Sequence, residues 1–406
     1  MRAEILIVAC LVVLGGCAAP PRRPAPPTVI NDARPDGFPA SVRLVTTDLN
    51  GFQRRAPDFF SGIRGAASGR PVNILALSGG GSEGAFGAGV LVGLTHAHDR
   101  PRFELVTGVS AGALIAPFAF LGPRWDEELE AAFTTDHSHL LRRSAALQFV
   151  DRVLFPLGRD HHDPLFDMVD RYVTPALVAA VARQSEAGRR LIIATTDLDT
   201  EETMLWDMGV VAERGGEAAR ALFRDILVAS ASVPGVFPPV LIHVRDGAHR
   251  YDELHVDGSV TTSVFTLPLV AGLRPQDLPP LRAGALYMIV DSQLARLPKT
   301  TPIRTIEVLT RSFSAGMTYK TREAIIDTIN LTRRLGMSFR LTEIPVDFPV
   351  STVVDFSPKF MRSLFDYGER CAAAGRIWVT PEQSIKRNMA ARERSTAANT
   401  ACPGTG

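Results

Sequence analysis

Val72-Asn73-Ile74-Leu75-Ala76-Leu77-Ser78-Gly79-Gly80-Gly81-Ser82-Glu83-Gly84 is the stretch whose conformation sets the fold. Its first half is a short apolar run bounded by turn residues, which reads as a buried strand. Its second half is rich in glycine and opens on Ala85 to Leu94, a helical stretch whose Ala85, Ala88 and Gly89 allow close packing on a sheet. The same order returns downstream: Phe103 to Thr107 as a strand, Gly108-Val109-Ser110-Ala111-Gly112 as a turn, then an apolar helix from Ala113. Further strands are expected at Leu191 to Thr196, ending at His255-Val256-Asp257, and at Leu286 to Val290, with a helix over Glu217 to Ser230. Strands alternating with helices predict an α/β fold, a three-layer α/β/α sandwich around a mainly parallel central sheet.

The 406 residues fit one large domain or two modest ones. An apolar share of 46% and a charged share of 21% exclude a disordered or fibrous chain. Lys plus Arg is 44 against 43 for Asp plus Glu, with no basic run. Phosphate binding needs clustered cations, so nucleic acid is excluded as a partner.

The amino terminus has the pattern of an address. Arg2 precedes the apolar run Ile5 to Leu14, too short to span a bilayer but suited to a signal segment. The run ends in Leu14-Gly15-Gly16-Cys17, which resembles a bacterial lipoprotein cleavage box. That resemblance implies removal of residues 1–16 and lipidation of Cys17. Ala18, standing where Asp would redirect sorting, resembles lipoproteins of the outer membrane, here facing the periplasm. Residues 17–40 are rich in proline and are expected to form an extended, unpacked tether reaching on the order of 60 Å. Residues 41–69 form a lead-in without clear elements. Residues 70–295 form the chemical domain and 296–384 a helical extension packed on it. That extension includes a helix capped by Ser357 with Pro358 in its first turn and stopped by Gly375. Residues 385–406 lose apolar periodicity and are expected to be a flexible tail. Cys371 and Cys402 can bond or remain free thiols; the spacing does not decide.

Gly108-x-Ser110-x-Gly112 has the form of a nucleophile turn, in which flanking glycines let the backbone bend sharply and lift a hydroxyl clear of the sheet. Gly79-Gly80-Gly81-Ser82-Glu83-Gly84 allows two readings. As Gly-x-Gly-x-x-Gly it matches a dinucleotide fingerprint, which requires an acid at the end of the next strand. Asp99 has nearly the right count but lies in a loop before that strand. As a row of freed amides the run is an oxyanion hole, the better reading beside a serine nucleophile. A proton acceptor is also needed. Asp257-Gly258-Ser259 closes a strand, and no histidine follows it, so a Ser-acid-His order through Asp257 is impossible. Direct transfer from Ser110 to Asp257 is chemically allowed; an ordinary turn aspartate is the plainer alternative.

In this order, the three motifs resemble those of the patatin-like phospholipase family. Ala194-Thr195-Thr196-Asp197-Leu198-Asp199-Thr200 and Ala229-Ser230-Ala231-Ser232-Val233-Pro234-Gly235-Val236-Phe237-Pro238-Pro239 resemble two further blocks of it. The resemblance covers roughly residues 70–295. It implies a patatin-like fold and a serine acyl hydrolase with a Ser–Asp dyad, no metal and no other cofactor. It implies Ser110 as nucleophile, Asp257 as proton acceptor, and the amides of Gly79, Gly80 and Gly81 as oxyanion hole. Gly84, Gly108, Gly112 and Gly258 complete the motifs. The implied substrate is a membrane phospholipid or another acyl-ester lipid. Two residues depart from the family pattern. Glu83 stands where Arg or Lys is usual and is expected to point away from the oxyanion; Ser259 stands where Gly or Ala is usual.

Several features stay open beside this reading. A nucleotide-binding protein, a catalytically inactive interaction lipoprotein, and a triad through His243, His249 or His255 are the rivals. His255 lies on the strand face of Asp257 and reads as a structural histidine. Asp160-His161-His162-Asp163 resembles a metal cluster but fits a helix cap better. Leu140 to Leu157 reads equally as a lipid-facing lid or a buried helix. Trp125, Trp206 and Trp378 read as packing residues. Oligomeric state is not encoded in any of these patterns.

Overall fold

The computed structural model describes residues 22–30, 32–136, 164–266, 284–298, 300–350, 352–394 and 399–404. The lipoprotein box, the Asp160–Asp163 run and the Leu140–Leu157 stretch lie outside them.

Ten strands among the described residues form one sheet. They are β1 (Arg34–Pro35), β2 (Arg43–Val45), β3 (Asn73–Leu77), β4 (Leu105–Val109), β5 (Arg190–Asp197), β6 (Glu202–Asp207), β7 (Val240–Asp246), β8 (His249–Asp257), β9 (Ala285–Val290) and β10 (Ser338–Glu343). The order is β1-β7-β8-β5-β4-β3-β9-β10, with β6 paired to β5 and β2 paired to β6. The β10–β9, β9–β3, β3–β4 and β4–β5 pairs are parallel; β5–β8, β8–β7, β7–β1, β5–β6 and β6–β2 are antiparallel. The centre of the sheet, β10-β9-β3-β4-β5, is parallel as expected, and antiparallel strands on the β5 side make it partly mixed. The reason is local. Asp246-Gly247-Ala248-His249 is a tight turn with Gly247 at φ 54°, and a connection this short can join only antiparallel strands.

Side chains alternate across β3. Leu75 and Leu77 enter one apolar cluster, Ile74 and Ala76 the other, so both faces are covered. Eleven α-helices are described: α1 (Leu49–Ala67), α2 (Ala85–His96), α3 (Ala111–Leu121), α4 (Asp126–Thr134), α5 (Pro164–Tyr172), α6 (Pro175–Glu186), α7 (Met208–Glu213), α8 (Gly216–Ala231), α9 (Thr305–Leu335), α10 (Pro358–Ala373) and α11 (Pro381–Arg394). The first cluster holds α2, α3, α4, α8 and α10; Phe60 and Ile63 of α1 and Ile325 and Leu331 of α9 fill the second. Helices on both faces of a sheet make the three-layer α/β/α sandwich.

Three expected boundaries change. The proline-rich segment does not stay unpacked from Arg22 onward. Arg22 pairs with Asp199 at 2.5 Å, Asp252 N–H donates to the Arg23 carbonyl at 2.7 Å, and Arg34–Pro35 adds to the β7 edge. An edge is where a strand can hold proline. The chemical domain does not end at 295, because β10 extends the same sheet beside β9. The segment from 385 is helical through Arg394, and residues 399–404 return to the body, with Cys402 bonded to Cys371 of α10. Asn399 N–H donates to the Asp347 carbonyl and Gly404 N–H to that of Arg376, which a periodicity reading cannot see. Pro358 opens α10 as expected, but the Ser357 side chain makes no capping bond.

Candidate functional site

Register brings the site together. β4 runs parallel to β5 and ends with Val109 opposite Ala194. β8 runs antiparallel to β5 and ends with Asp257 opposite Thr195. β6 occupies the other edge of β5 over both stretches, so β4 and β8 share one edge and run head to head. The residue after β4 is Ser110 and the residue ending β8 is Asp257. Ser110 Oγ donates to Asp257 Oδ2 at 2.6 Å.

Ser110 stands at φ 54° and ψ −124°, a left-handed backbone that a side chain other than glycine adopts at a cost of about 1–3 kcal/mol. It is held there. Ser110 N–H donates to Ser230 Oγ at 3.0 Å, and Ser230 donates in turn to the Ala194 carbonyl at 2.7 Å. Gly108 and Gly112 give the turn room. A Cβ on Gly108 would lie 2.6 Å from the Gly112 carbonyl, and one on Gly112 would lie 2.6 Å from the Leu77 carbonyl. Gly84 packs the glycine loop on the helix start of Ala111, and Gly258 lies against the Ala194 carbonyl.

Asp257 is fully buried, and burial pushes its carboxyl up to about 6, opposed by hydrogen bonds from Ser110 and Ser259. The Ser259 N–H donates to Oδ1 at 2.7 Å, so both oxygens are engaged. A carboxyl at about 6 is largely ionised at pH 7 and can accept a proton from the serine.

The glycine loop faces Ser110. A Cβ on Gly79 would lie 3.1 Å from that of Ser110. The Gly79 N–H, however, donates to the Ser263 carbonyl at 3.0 Å, which removes it from the expected trio of oxyanion donors. Gly80 and Gly81 make no such bond among the described residues, and neither does the N–H of Ala111, which follows the serine at the helix start. The dinucleotide reading lacks its acid, since the strand after the loop ends in Val109 and is followed by Ser110.

A cavity of about 60 Å³ begins at Gly81 and at Leu114, one turn along α3 from Ser110. Phe118, Phe133, Met168, Tyr172, Leu227 and Phe356 continue its wall, and its lining is almost wholly apolar.

Behind the loop lies a second acidic pair. Glu83 is fully buried, faces Arg296 at 3.7 Å, and has no hydrogen bond to either oxygen. Burial lifts its carboxyl to about 7, against the attraction of Arg296. Asp291 directly follows β9. Its N–H donates to Ser78 Oγ and its Oδ1 accepts the Gly87 N–H, both at 2.8 Å. Burial raises its carboxyl well above the usual range, and Glu83 raises it further. Sequence reasoning missed Asp291, although an aspartate closing a buried strand was the signal that singled out Asp257. It also missed Ser230 as the brace of Ser110.

His255 is fully buried, and its ring contacts do not include Ser110 or Asp257. It contacts Thr195 Oγ1 at 3.0 Å and Glu253 at 3.3 Å, and Glu253 pairs with Arg43. His243 pairs with Asp252 at 2.7 Å on the exposed edge. Trp206 is packed in the core and donates to Thr195.

Residues 75–270 match the patatin-like phospholipase family. No curated protein matches the chain. Solved structures similar to it include VipD from Legionella pneumophila, at 10% identity and a TM-score of 0.35, over 78% of this chain and 69% of that one.

Proposed function

Residues 75–270 belong to the patatin-like phospholipase family, and from that premise we propose that the chain hydrolyses acyl-ester lipids with Ser110 and Asp257 as its catalytic dyad. The family supports a lipid acyl hydrolase in general. The observation that carries the finer reading is the 2.6 Å contact between a strained, braced serine hydroxyl and a buried carboxylate.

Ser110 Oγ attacks the ester carbonyl carbon while its proton passes to Asp257 Oδ2. The carbonyl electron pair moves onto oxygen, where the free N–H groups of Gly80, Gly81 and Ala111 are the available donors. The tetrahedral intermediate collapses and expels the alcohol, which takes the proton from Asp257. Water then attacks the acyl-Ser110 ester, Asp257 accepts its proton, and the fatty acid leaves as Ser110 recovers its hydrogen. The apolar cavity at Gly81 and Leu114 suits an acyl chain and offers a polar group almost nothing.

The test is labelling by a fluorophosphonate together with hydrolysis of a short acyl ester. Both are expected in the wild type and neither in Ser110→Ala. Full hydrolysis by Ser110→Ala would end the proposal. Anchoring through Cys17 is proposed separately, from Leu14-Gly15-Gly16-Cys17. Incorporation of labelled palmitate that survives Cys17→Ala would refute it.

A further inference from the structure

α9 is 31 residues long, or about 46 Å. One face of it covers the site. Met317 lies 3.6 Å from where a Gly79 Cβ would stand, its carbonyl accepts from Ser263 Oγ at 3.2 Å, and Lys320 donates to the Val260 carbonyl. Ile325, Thr328, Leu331 and Leu335 carry that face on into the core.

The opposite face carries a line of exposed apolar side chains. At about 100° per residue, Val308, Ala315, Tyr319 and Ile326 fall within about 20° of one line, and Met317 falls diametrically across from it. Val308 is 45% exposed, Tyr319 64% and Ile326 58%. Arg304, Arg311 and Arg322 border the stripe along one side. Over the span of the stripe, 304 to 326, the segment carries these three and Lys320 against two acids, Glu307 and Glu323. Glu323 borders the other side, Arg304 pairs with Glu307 at 3.6 Å, and Arg322 also donates to the Leu294 carbonyl. An apolar line with a cationic margin is the composition of a helix that lies in a membrane interface.

We propose that the outer face of Thr305–Leu335 docks on an anionic lipid surface and brings the serine beneath it to the membrane. The choice of lipid over another occupant rests on the hydrolase reading and on the arginine margin, which matches anionic headgroups. The stripe reads lipid on one side of the helix while the other side touches the glycine loop and the turn after Asp257. Ser110, only 3% exposed under this cover, lies below the docking face rather than beside it.

The experiment is flotation of the full chain carrying Cys17→Ala and Ser110→Ala, so that neither an anchor nor turnover contributes. The vesicles are phosphatidylcholine with or without phosphatidylglycerol. The parent is expected to float with the anionic vesicles. Val308→Asp combined with Tyr319→Asp and Ile326→Asp is expected to lower partitioning on the order of tenfold or more. Arg304→Gln with Arg311→Gln is expected to lower it on the phosphatidylglycerol vesicles alone. Unchanged melting temperatures show that the variants fold. Equal flotation of parent and triple variant overturns the proposal. So does a parent dimer in sedimentation that the triple variant splits, which would assign the stripe to a second copy. Stripe-dependent flotation without any esterase activity in the Ser110 form leaves the docking intact and removes the hydrolase reading. Esterase activity with stripe-independent flotation does the reverse.

Discussion

Asp257 and Asp291 both close buried strands at the glycine-loop end of the sheet, and they are held in opposite ways. Asp257 has both oxygens occupied, by the Ser110 hydroxyl and the Ser259 N–H. Asp291 has one oxygen on the Gly87 N–H and the other without a hydrogen bond, with Glu83, which faces Arg296 but accepts no hydrogen bond, nearby. Donors stabilise a carboxylate and their absence favours the neutral acid. Burial is shared, so the difference lies in the hydrogen bonds to Asp257 and in the like charge of Glu83 beside Asp291. The Asp257 carboxyl is thus raised only to about 6, whereas that of Asp291 is raised well above the usual range, and in the proposed reaction only the first exchanges a proton.

The largest effect falls on the first. Asp257→Asn leaves the shape but removes the acceptor, and kcat/KM on a short acyl ester is expected to drop on the order of 10³-fold or more. A loss within tenfold would put Asp257 on the same footing as Asp291.

Glu83 comes next, through stability. Its folded carboxyl lies at about 7, above the ordinary 4.5. The folded state therefore binds that proton more tightly than the unfolded chain does. The resulting stabilisation is present below about pH 4.5 and is lost as pH rises to about 7, on the order of 3 kcal/mol in all. In thermal melts, Glu83→Gln should lose less stability between pH 5 and pH 8 than the wild type. Parallel curves would show that the carboxyl is not held neutral.

Asp257 sharpens the contrast again through pH. With its carboxyl at about 6 and its ionised form as the acceptor, kcat/KM should fall about tenfold per unit below pH 6 and level off above. A flat profile down to pH 5 would contradict this.

The smallest effect is expected at Asp291→Asn. Asparagine keeps an acceptor for Gly87 and carries no charge, so chemical denaturation at pH 7 should change by about 1 kcal/mol or less. Asp291→Leu, which strands the Gly87 N–H, should cost about 1–3 kcal/mol. Equal losses in the two would mean that the charge, not the hydrogen bond, matters there.

The strand–loop–helix units around Gly79–Gly84 and Gly108–Gly112 were legible because period, glycine and small residues agree locally. The antiparallel half of the sheet was not, although Asp246-Gly247 is a hairpin signal that the alternation of strands and helices outweighed. How β4 and β8 converge on β5 is a matter of register and not of motif. The serine turn could be read from its glycines. Its brace, Ser230, lies 120 residues away in sequence, and no local pattern marks it. The Gly79 amide was misjudged for the same reason, since its acceptor, the Ser263 carbonyl, belongs to a distant loop. The proline-rich segment misled through composition: it describes a free chain, and an open sheet edge can recruit one.

The bond between Cys371 and Cys402 spans 31 positions. A protease that cuts between them severs the chain without releasing a fragment. On a gel run without reductant such a nicked molecule keeps its full mass, and only added thiol lets the short carboxyl-terminal piece drift away.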